Sequence, residues 1–442
     1  MFREFEVSAP KIADRRFDIR DFGAKSGGRF CCTGAFRKAF DAAEEQGGYV
    51  VVPDGIWLSG PIELRSNTGL YLEENAVLLF AKSKEEYPLI ITDFEGIRRI
   101  RARSQIYAEH AENIAIAGRG TIDGCGHLWR PVKEWKMTRR QWKRLLAISP
   151  YVIDSGEGGV WVPSASIFDG RRSGEVFPDS CADEKEALKK AAPYYDFYRP
   201  VMVSLRHCRN VLIEDVHLQN SAAWNVHPYF CEDVTIRGIT VNNPYYAQNG
   251  DGIDIDSCNR VNIYRCVLQT GDDGICLKAG KDREARKLKK PCENVLIHHC
   301  KVGLSHGGFV IGSEMSRGIR NVLVRDCTFI DSNTGITFKS AMGRGGVVEN
   351  ITMRDILMVN IRDTAVKISM DYVHNQMDYY DPVVQSEDPE DIPEFRDLLF
   401  ERCISADEGA EVILKPLRGY PGSIHDVRFK DCVLGAVLEE TA

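Results

Sequence analysis

Residues 210–220 read NVLIEDVHLQN, residues 233–243 read DVTIRGITVNN, and residues 260–270 read RVNIYRCVLQT. The pattern returns as NVLIHHCKVG from 294, NVLVRDCTFID from 321, NITMRDILMVN from 350, DLLFERCISAD from 397 and DVRFKDCVLGA from 426, and NIAIAGRGTIDG from 113 is an earlier copy. From 210 onward the copies begin 23, 27, 34, 27, 29, 47 and 29 residues apart. These spacings indicate a unit of about two dozen residues that carries insertions of variable length.

Each copy contains two short β-rich runs in which apolar and polar residues alternate, separated by a turn residue such as Gly, Asp or Asn. This alternation is typical of strands with one buried face. Such units cannot bury their inner faces alone, but stacked coils give every strand a neighbour about 4.8 Å above and below. The sequence therefore predicts an all-β fold, a single-stranded right-handed parallel β-helix that forms one domain over residues 1–442.

The cysteines keep the register of the repeat. Five of them lie six residues after the residue that opens a copy, and four lie two residues before it; these are Cys266, Cys300, Cys327, Cys403 and Cys432, then Cys208, Cys231, Cys258 and Cys292. An identical phase in successive coils predicts ladders of small, reduced, buried side chains. A row of metal ligands is the alternative, but no CxxC pair with zinc spacing occurs, so no metal is expected.

Two regions lie outside the repeat. Residues 33–45 (TGAFRKAFDAAEE) have helical composition and predict an N-terminal helix that caps the first coil. Residues 126–200 are rich in aromatic and basic side chains and too long for an ordinary connection. They predict a structured excursion that forms one wall of a binding groove, with a dimer contact or simple packing as the alternative.

The net charge of −7 excludes a domain-wide basic surface for nucleic acid. No stretch approaches the roughly 18 apolar residues of a membrane helix, and residues 1–10 lack the apolar run of a secretory signal. With reduced cysteines, this favours a cytoplasmic protein, or else a secreted or periplasmic one whose signal peptide has been removed. The sequence does not indicate an oligomeric state.

Acidic residues are concentrated in NGDGIDIDSC (249–258) and TGDDGICLKAG (270–280), followed by SHGGFVIGSEM (305–315). Asp251 precedes Asp272 and Asp273 by 21 and 22 residues, about one coil, so the three carboxylates should meet on adjacent turns. His306 should join them if the basic run at 281–290 loops out. Crowded carboxylates divide into protonated and ionised members, which is the division that glycoside hydrolysis needs.

These motifs resemble those of glycoside hydrolase family 28, the polygalacturonases, and the resemblance covers nearly the whole chain. The family's Asn-x-Asp matches residues 249–251, its Gly-Asp-Asp matches 271–273, and its Gly/Ser-His-Gly matches 305–307. DFGAK at 21–25 and VPDGIWLSGPIEL at 52–64 look like the opening of bacterial members. The resemblance implies a pectin-lyase-like solenoid and an inverting hydrolase of pectic polysaccharide or oligosaccharide that needs no cofactor.

By the same resemblance, Asp272 would be the general acid, Asp251 and Asp273 would hold and deprotonate the water, and His306 would tune the acid. Asn249 belongs to the same substrate-contacting motif. In an inverting enzyme the carboxyl groups are expected about 6.5–9.5 Å apart, because a water must fit between them and the sugar.

One position departs from the family. Its Arg-x-Lys signature, which holds the uronate carboxylate, is Thr337-Phe338-Lys339 in this chain. Lys339 remains, but a threonine cannot offer the bidentate fork of an arginine. Arg344, five residues beyond Lys339, is a candidate replacement for the missing charge.

Other residues near the acids have two interpretations. Trp224 and His227 lie one coil before Asp251, where they could bind a sugar ring or pack in the core. Asp254 and Asp256 share a strand face and are interpreted as structural supports. The basic run at 281–290 could attract an anionic glycan or be a solvated loop.

The preferred function is exo-acting removal of galacturonate, because the excursion is large enough to block one end of a groove. GGFVIGSEMS at 307–316 also looks like exo-acting bacterial relatives. The alternatives are a rhamnogalacturonan-type or other pectic glycosidase, a calcium-dependent lyase on the same fold, and a non-catalytic glycan-binding β-helix.

Overall fold

Parallel strands stack along one axis in three ladders, which confirms the predicted parallel β-helix. The computed structural model describes residues 2, 4–81, 83, 86–156, 158–372, 375–376, 379–380, 386–407 and 410–439. Within a ladder, the strands of successive coils pair in parallel with matching positions opposite each other. Apolar side chains from all three ladders fill one continuous interior.

The first ladder consists of Arg16–Asp18, Gly48–Val52, Thr68–Leu72, Glu112–Gly118, Arg209–Glu214, Glu232–Arg237, Asn259–Tyr264, Cys292–His298, Ile319–Ile330, Val347–Val359, Glu394–Ser405 and Val427–Lys430. The second ladder consists of Gly55–Ser59, Ala76–Phe80, Thr121–Asp123, His217–Gln219, Thr240–Asn242, Val267–Gln269 and Lys301–Gly303, and continues into the three long strands of the first. The third ladder, which carries the functional groups, consists of Ile62–Glu63, Ile106–Glu109, Val203–Arg206, Val226–Tyr229, Ile253–Asp256, Ile275–Lys278, Gly307–Ile311, Thr334–Lys339, Thr364–Ser369, Glu411–Lys415 and Val437–Glu439.

The residue that opens each repeat turns a corner of the coil. In all nine copies its φ is left-handed, between 51° and 60°, which explains why Asn and Asp predominate there. Several of these asparagines also bond along the axis: the Asn294 amide donates to Asn259 (2.7 Å), and the Asn350 amide donates to Asn321 (2.7 Å). A second left-handed corner follows five residues later. The repeat in the sequence therefore indicates the positions of the corner residues as well as those of the strands.

All 14 cysteines are free, and most are buried. The Cys231 amide donates to the sulfur of Cys258 one coil on (3.3 Å), and the Cys300 amide donates to the sulfur of Cys327 (3.4 Å). These contacts match the stacked ladders that the spacing predicts.

The predicted N-terminal helix spans Thr33–Gln46 and buries Phe36, Ala39 and Phe40 against the first coils. Its N-cap position is Cys32, which makes no side-chain cap. The Thr33 hydroxyl instead donates to Glu86 (2.6 Å). No helix in the described parts of the chain combines the length and apolar character that crossing a bilayer requires.

The excursion at 126–200 folds into short elements of its own. Its α-helices are Arg139–Ile148, Ala165–Ser173 and Glu184–Ala191; its 3-10 turns are Gly126–Leu128, Glu134–Lys136, Pro178–Ser180 and Ala192–Phe197; and its antiparallel strands are Val132–Lys133, Val152–Asp154 and Gly159–Trp161. A hairpin, Leu89–Phe94 with Ile97–Ala102, is joined to it by ion pairs from Arg98 to Asp179 (2.9 Å) and from Arg99 to Glu175.

The remaining elements are the helix Asp282–Arg286, the 3-10 turns Ile19–Phe22, Pro389–Asp391 and Pro421–Ser423, and the small hairpin Asn375–Gln376 with Tyr379–Tyr380. The basic run at 281–290 is partly neutralised, since Arg283 lies 2.7 Å from Asp388 and Arg286 pairs with Asp391.

Candidate active site

The three predicted acids lie at the turns that lead into the third ladder. Asp251 precedes Ile253–Asp256, and Asp272 and Asp273 precede Ile275–Lys278. Because Ile253 and Ile275 are in register, the acidic turns lie on adjacent coils. The next turn brings His306, whose backbone N–H donates to the Asp272 carbonyl (3.0 Å). The structure therefore brings together all four residues that the sequence predicts as catalytic.

Two turn residues allow this close approach. Asn249 adopts a left-handed φ of 52°, which asparagine tolerates. Gly271 has a φ of 77°, and a Cβ there would lie 2.5 Å from the Pro244 carbonyl oxygen. Only glycine meets both conditions, because it has no Cβ and accepts positive φ.

The Asp272 carboxylate is surrounded by donors. It lies 3.3 Å from Nδ1 of His306 and accepts the backbone N–H groups of Asn249 (2.8 Å) and Asp273 (3.2 Å). Burial acts to raise the pKa of Asp272, but the charge and hydrogen bond of His306 outweigh it. The charge of Lys136 adds to that effect, so the pKa of Asp272 lies well below its ordinary value.

Asp251 and Asp254 show the opposite behaviour. Burial raises the pKa of Asp251 well above its ordinary value, and the charges of Asp254 and Asp272 act in the same direction. Burial also raises the pKa of Asp254 to about 8, although Lys278 opposes the shift from 3.5 Å. The acids of the site thus differ in protonation: burial favours the protonated form of Asp251 and Asp254, and the surrounding donors favour the ionised form of Asp272, as is usual for crowded carboxylates.

Asp273 is held by a cation from two coils further on. Nζ of Lys339 donates to its carboxylate at 2.9 Å. The charge of Asp273 keeps the pKa of Lys339 well above its ordinary value, although burial acts to lower it. Lys339 therefore stays protonated and remains bonded to the Asp273 carboxylate.

Two of the acids and the histidine lie close together. Single carboxylate oxygens of Asp272 and Asp273 and a ring nitrogen of His306 are all within 4.8 Å of one another. The expected separation of about 6.5–9.5 Å between carboxyl groups on either side of the cleaved bond stays a prediction. The two acids are adjacent in sequence, and Lys339 and Lys136 offset their repulsion. This spacing could also accommodate a cation, and the prediction that no metal is needed stays a prediction.

Lys136, from the excursion, lies directly over this group. Its ammonium donates to the carbonyl of Gly271 (3.2 Å) and is 3.5 Å from Nε2 of His306. Sequence reasoning did not identify Lys136, because nothing in the repeat shows where an insertion folds back.

Toward the N-terminal coils, the floor of the groove is covered. Trp224 is 1% exposed and packs on Phe94 of the hairpin, with 4.2 Å between ring centroids. Lys278 lies on the same indole (4.6 Å) and forms ion pairs with Asp254 (3.5 Å) and Glu314 (3.6 Å). This buried polar group lies next to Asp251.

Toward the C-terminal coils, the groove opens into a cavity of about 490 Å³. Its lining residues are Asp273, His306, Asn333, Thr334, Thr337, Lys339, Asp363, Lys367, Ser369, Asp371 and Tyr372. The carboxylates therefore lie between a covered side and an open side.

Comparison with known proteins identifies the family. The model of the glycosyl hydrolases family 28 matches residues 164–383. A crystal structure of a hyperthermoactive exopolygalacturonase from Thermotoga maritima superposes with a TM-score of 0.75 at 29% identity, covering 98% of this chain and 90% of that one. The chain belongs to glycosyl hydrolase family 28. The prediction of a glycoside hydrolase of this family is confirmed.

Two curated relatives add to this finding. A probable polygalacturonase of Vitis vinifera is 28% identical over 388 residues, which cover 85% of this chain and 67% of that protein. An exo-poly-α-D-galacturonosidase of Dickeya chrysanthemi is 27% identical over 377 residues, which cover 84% of this chain and 58% of that protein. The chain thus spans little more than half the length of the second relative.

Two predictions for this family-28 site are contradicted. Of the two interpretations of Trp224 and His227, sugar binding is excluded and core packing holds, because the side chains are 1% and 2% exposed and Phe94 of the hairpin covers Trp224. Arg344 was a candidate for the charge missing at Thr337. It is 3% exposed, pairs with Asp282, and does not line the cavity that Lys339 lines.

The other predicted residues lie at the site. Asn249 contacts Asp272 through its backbone, while its side-chain oxygen accepts a bond from Arg199 of the excursion (2.7 Å). Asp254 and Asp256 share one buried face of their strand, and Asp256 accepts a hydrogen bond from Ser257 (3.0 Å). Direct substrate contact by Asn249 stays a prediction.

Asp254→Asn should flatten the pH dependence of stability in this family-28 chain. The carboxyl ionises near pH 4 when unfolded but near 8 when folded, so its contribution to stability is complete below pH 4 and is lost as pH rises toward 8. Between these limits, we expect the free energy of unfolding of the variant to rise relative to that of the wild type by at most about 1.4 kcal/mol per pH unit. Denaturant unfolding at pH 5, 6.5 and 8 measures this difference.

Asp256→Asn is the matched control for that experiment. It removes a buried carboxyl from the same strand face but leaves Asp254 in place, so it should keep the slope of the wild type. Parallel stability curves for the wild type and Asp254→Asn would contradict the raised pKa.

Proposed function

We propose that this protein is an exo-acting hydrolase that removes terminal galacturonate residues from pectic chains. The observation that carries the proposal is the asymmetry of the groove around the carboxylates. On one side Phe94 covers Trp224, and on the other a cavity of about 490 Å³ is open. A chain end can enter such a site, but the middle of a polymer has no exit on the covered side.

The excursion at 126–200 serves as the wall of this groove in our proposal. Arg199 donates to the carbonyl of Gln248 (2.9 Å) and to the side chain of Asn249 (2.7 Å), so the wall is attached to the acidic turn. Its ion pairs with the hairpin attach the cover as well. These contacts support a fixed barrier in preference to a mobile lid.

The chemistry requires one proton donor and one activated water. Asp272 donates its proton to the glycosidic oxygen as the bond to the anomeric carbon breaks. Asp251 and Asp273 hold a water whose oxygen attacks that carbon, and one of them takes the proton the water loses. The products are a free sugar and a shortened chain, and inversion is the expected stereochemistry even though Asp272 and Asp273 are close.

The proton must move before this reaction occurs. In the free protein Asp251 holds it and Asp272 is ionised, which is the reverse of the productive state. The carboxylates titrate as one coupled group, so the two arrangements differ only in where a shared proton lies. An anionic substrate that displaces water destabilises ionised Asp272, and this favours transfer of the proton to it.

Galacturonate is the substrate class that the relatives' names and the charges support together. Those relatives are named as a polygalacturonase and an exo-poly-α-D-galacturonosidase. In this chain, the ammonium groups of Lys278, Lys339 and Lys367 line the groove or lie just beneath it. Thr337 leaves a second candidate open, a rhamnogalacturonan-type glycosidase with altered recognition of the uronate.

We place the reaction in the cytoplasm, because 14 free cysteines without a disulfide are typical of proteins in a reducing compartment. The substrate would then be short oligosaccharides that have entered the cell. A higher kcat/KM for oligogalacturonides of a few residues than for polygalacturonate would support this location, and the reverse preference would contradict it.

Products from oligogalacturonides of defined length test the exo proposal. We expect monogalacturonate to be the only small product from the first minutes, with the parent chain shortened by one residue at a time. Chromatography of the time course measures this, and proton magnetic resonance of the first product gives its anomeric form, which should be inverted.

Three outcomes of that assay would contradict the proposal. Internal cleavage products would exclude a closed groove. Cleavage of rhamnogalacturonan fragments alone would favour the second candidate. Unsaturated products that absorb in the ultraviolet and disappear with a chelator would indicate a calcium-dependent lyase.

Lys136→Met should extend activity to higher pH. The proton that Asp251 and Asp272 share must be present for acid catalysis, and removing the positive charge of Lys136 beside Asp272 raises the pKa at which this proton is lost. We expect the descending limb of kcat/KM against pH to move up by roughly one unit. Lys136→Arg keeps the charge and should leave that limb where it is. A limb that is unmoved, or that moves down, in Lys136→Met would contradict the role of Lys136.

A further inference from the structure

We propose that Lys367 binds the carboxylate of the sugar on the open side of the catalytic acids, in place of the arginine that family 28 has at Thr337. The proposal rests on the function proposed above and names the residue that selects an acidic sugar. The position of Lys367 follows from the stacking of the third ladder.

Thr337 and Lys367 are direct neighbours on adjacent coils. Thr334–Lys339 pairs in parallel with Thr364–Ser369, and Thr337 is opposite Lys367 in this register. Neighbouring strands lie about 4.8 Å apart, so Lys367 offers a cation next to the place where the family has its arginine. Both side chains line the open cavity.

The residues at the two signature positions, Thr337 and Lys339, already have partners within the protein. Lys339 donates to the Asp273 carboxylate at 2.9 Å, so its charge is already neutralised by a catalytic acid. The Thr337 hydroxyl is 2.5 Å from the Thr334 hydroxyl, which in turn donates to the His306 carbonyl (3.0 Å). Neither residue offers a free positive charge to a substrate.

Lys367 is in a different situation. Among the residues that the structure describes, no carboxylate forms an ion pair with it, and its side chain is half-buried in the cavity wall. The nearby Asp371 forms its ion pair with Lys415 at 2.7 Å, and the charge of Lys367 acts on it only from beyond ion-pair distance. Asp363 is exposed at the start of the same coil, where water screens its charge. Lys367 is therefore the cation of the cavity best placed for an anionic sugar.

A lysine at this position predicts a particular kind of recognition. An ammonium is a point charge without the bidentate geometry of a guanidinium, so it fixes the charge of the sugar but not the plane of its carboxylate. The site should prefer a free uronate to its methyl ester or to a neutral sugar, and it should tolerate different linkages of the leaving sugar.

Lys367→Met tests the proposal with digalacturonate as substrate. Loss of a charge-assisted contact made equally before and during the reaction raises KM without changing kcat. We expect KM to rise about tenfold or more and kcat to stay within about twofold. The methyl ester of the leaving sugar should react with similar KM in the wild type and the variant, because no negative charge remains to be held.

Three matched variants complete the experiment. Lys367→Arg should keep most of the affinity, and Thr337→Arg in the Lys367→Met background should restore it from the neighbouring coil. Lys301→Met, an exposed lysine of the second ladder, controls for net charge and should leave KM unchanged. Circular dichroism and denaturant unfolding of each variant separate lost binding from lost folding.

The outcomes distinguish the two proposals. If the wild type hydrolyses digalacturonate and Lys367→Met has an unchanged KM, the assignment of Lys367 is overturned while the proposed function stands. An equal rise in KM for the esterified substrate would also overturn it, because the effect would not depend on charge. If the wild type neither binds nor cleaves galacturonides, the proposed function fails and the inference fails with it.

Discussion

The in-register stacking of coils is the constraint on which this site depends. Residues separated by one coil in sequence become neighbours at a strand spacing of about 4.8 Å, whatever the length of the insertion between them. Asp251 and Asp272 meet because Ile253 pairs with Ile275, and Asp272 meets His306 because the next coil pairs in the same way. The same stacking brings acidic side chains so close together that nearby cations are needed to offset their repulsion.

Those cations come from different parts of the chain, and each stabilises a different carboxylate. Lys339, from a later coil, contacts Asp273; Lys136, from the excursion, lies over His306 beside Asp272. Asp251 holds its proton because burial and the charges of Asp254 and Asp272 outweigh the opposing charge of Lys278. The aspartates are chemically identical, so their different protonation arises from burial and from which cation lies next to each carboxylate.

Much of this arrangement could be predicted from the sequence, because it depends on periodicity. The strands, the cysteine ladders and the meeting of Asp251, Asp272, Asp273 and His306 all follow from counting residues within coils. Trp224 was misjudged because the hairpin at 89–102 covers it from more than a hundred residues away in sequence. Lys136 was missed for the same reason, since an insertion of about 75 residues carries no signal of where it folds back.

Lys367 lies between these cases. It is 30 residues after Thr337, one coil with a short insertion, and only the register identifies it as the neighbour of that threonine. Arg344 was the candidate that the sequence offered, five residues beyond Lys339, yet distance along a solenoid chain is a poor guide to distance across its surface. In this fold, the residue that can replace an absent side chain lies at the paired position of the adjacent strand, one coil away.

A crystal structure of the Asp272→Asn variant with a bound oligogalacturonide tests the central claim most directly. We expect one sugar on the covered side, with its glycosidic oxygen next to residue 272 and a water between Asp251 and Asp273, and all further sugars in the cavity beside Lys339 and Lys367. Sugars extending past Phe94 on the covered side, or a glycosidic oxygen far from these acids, would contradict the account.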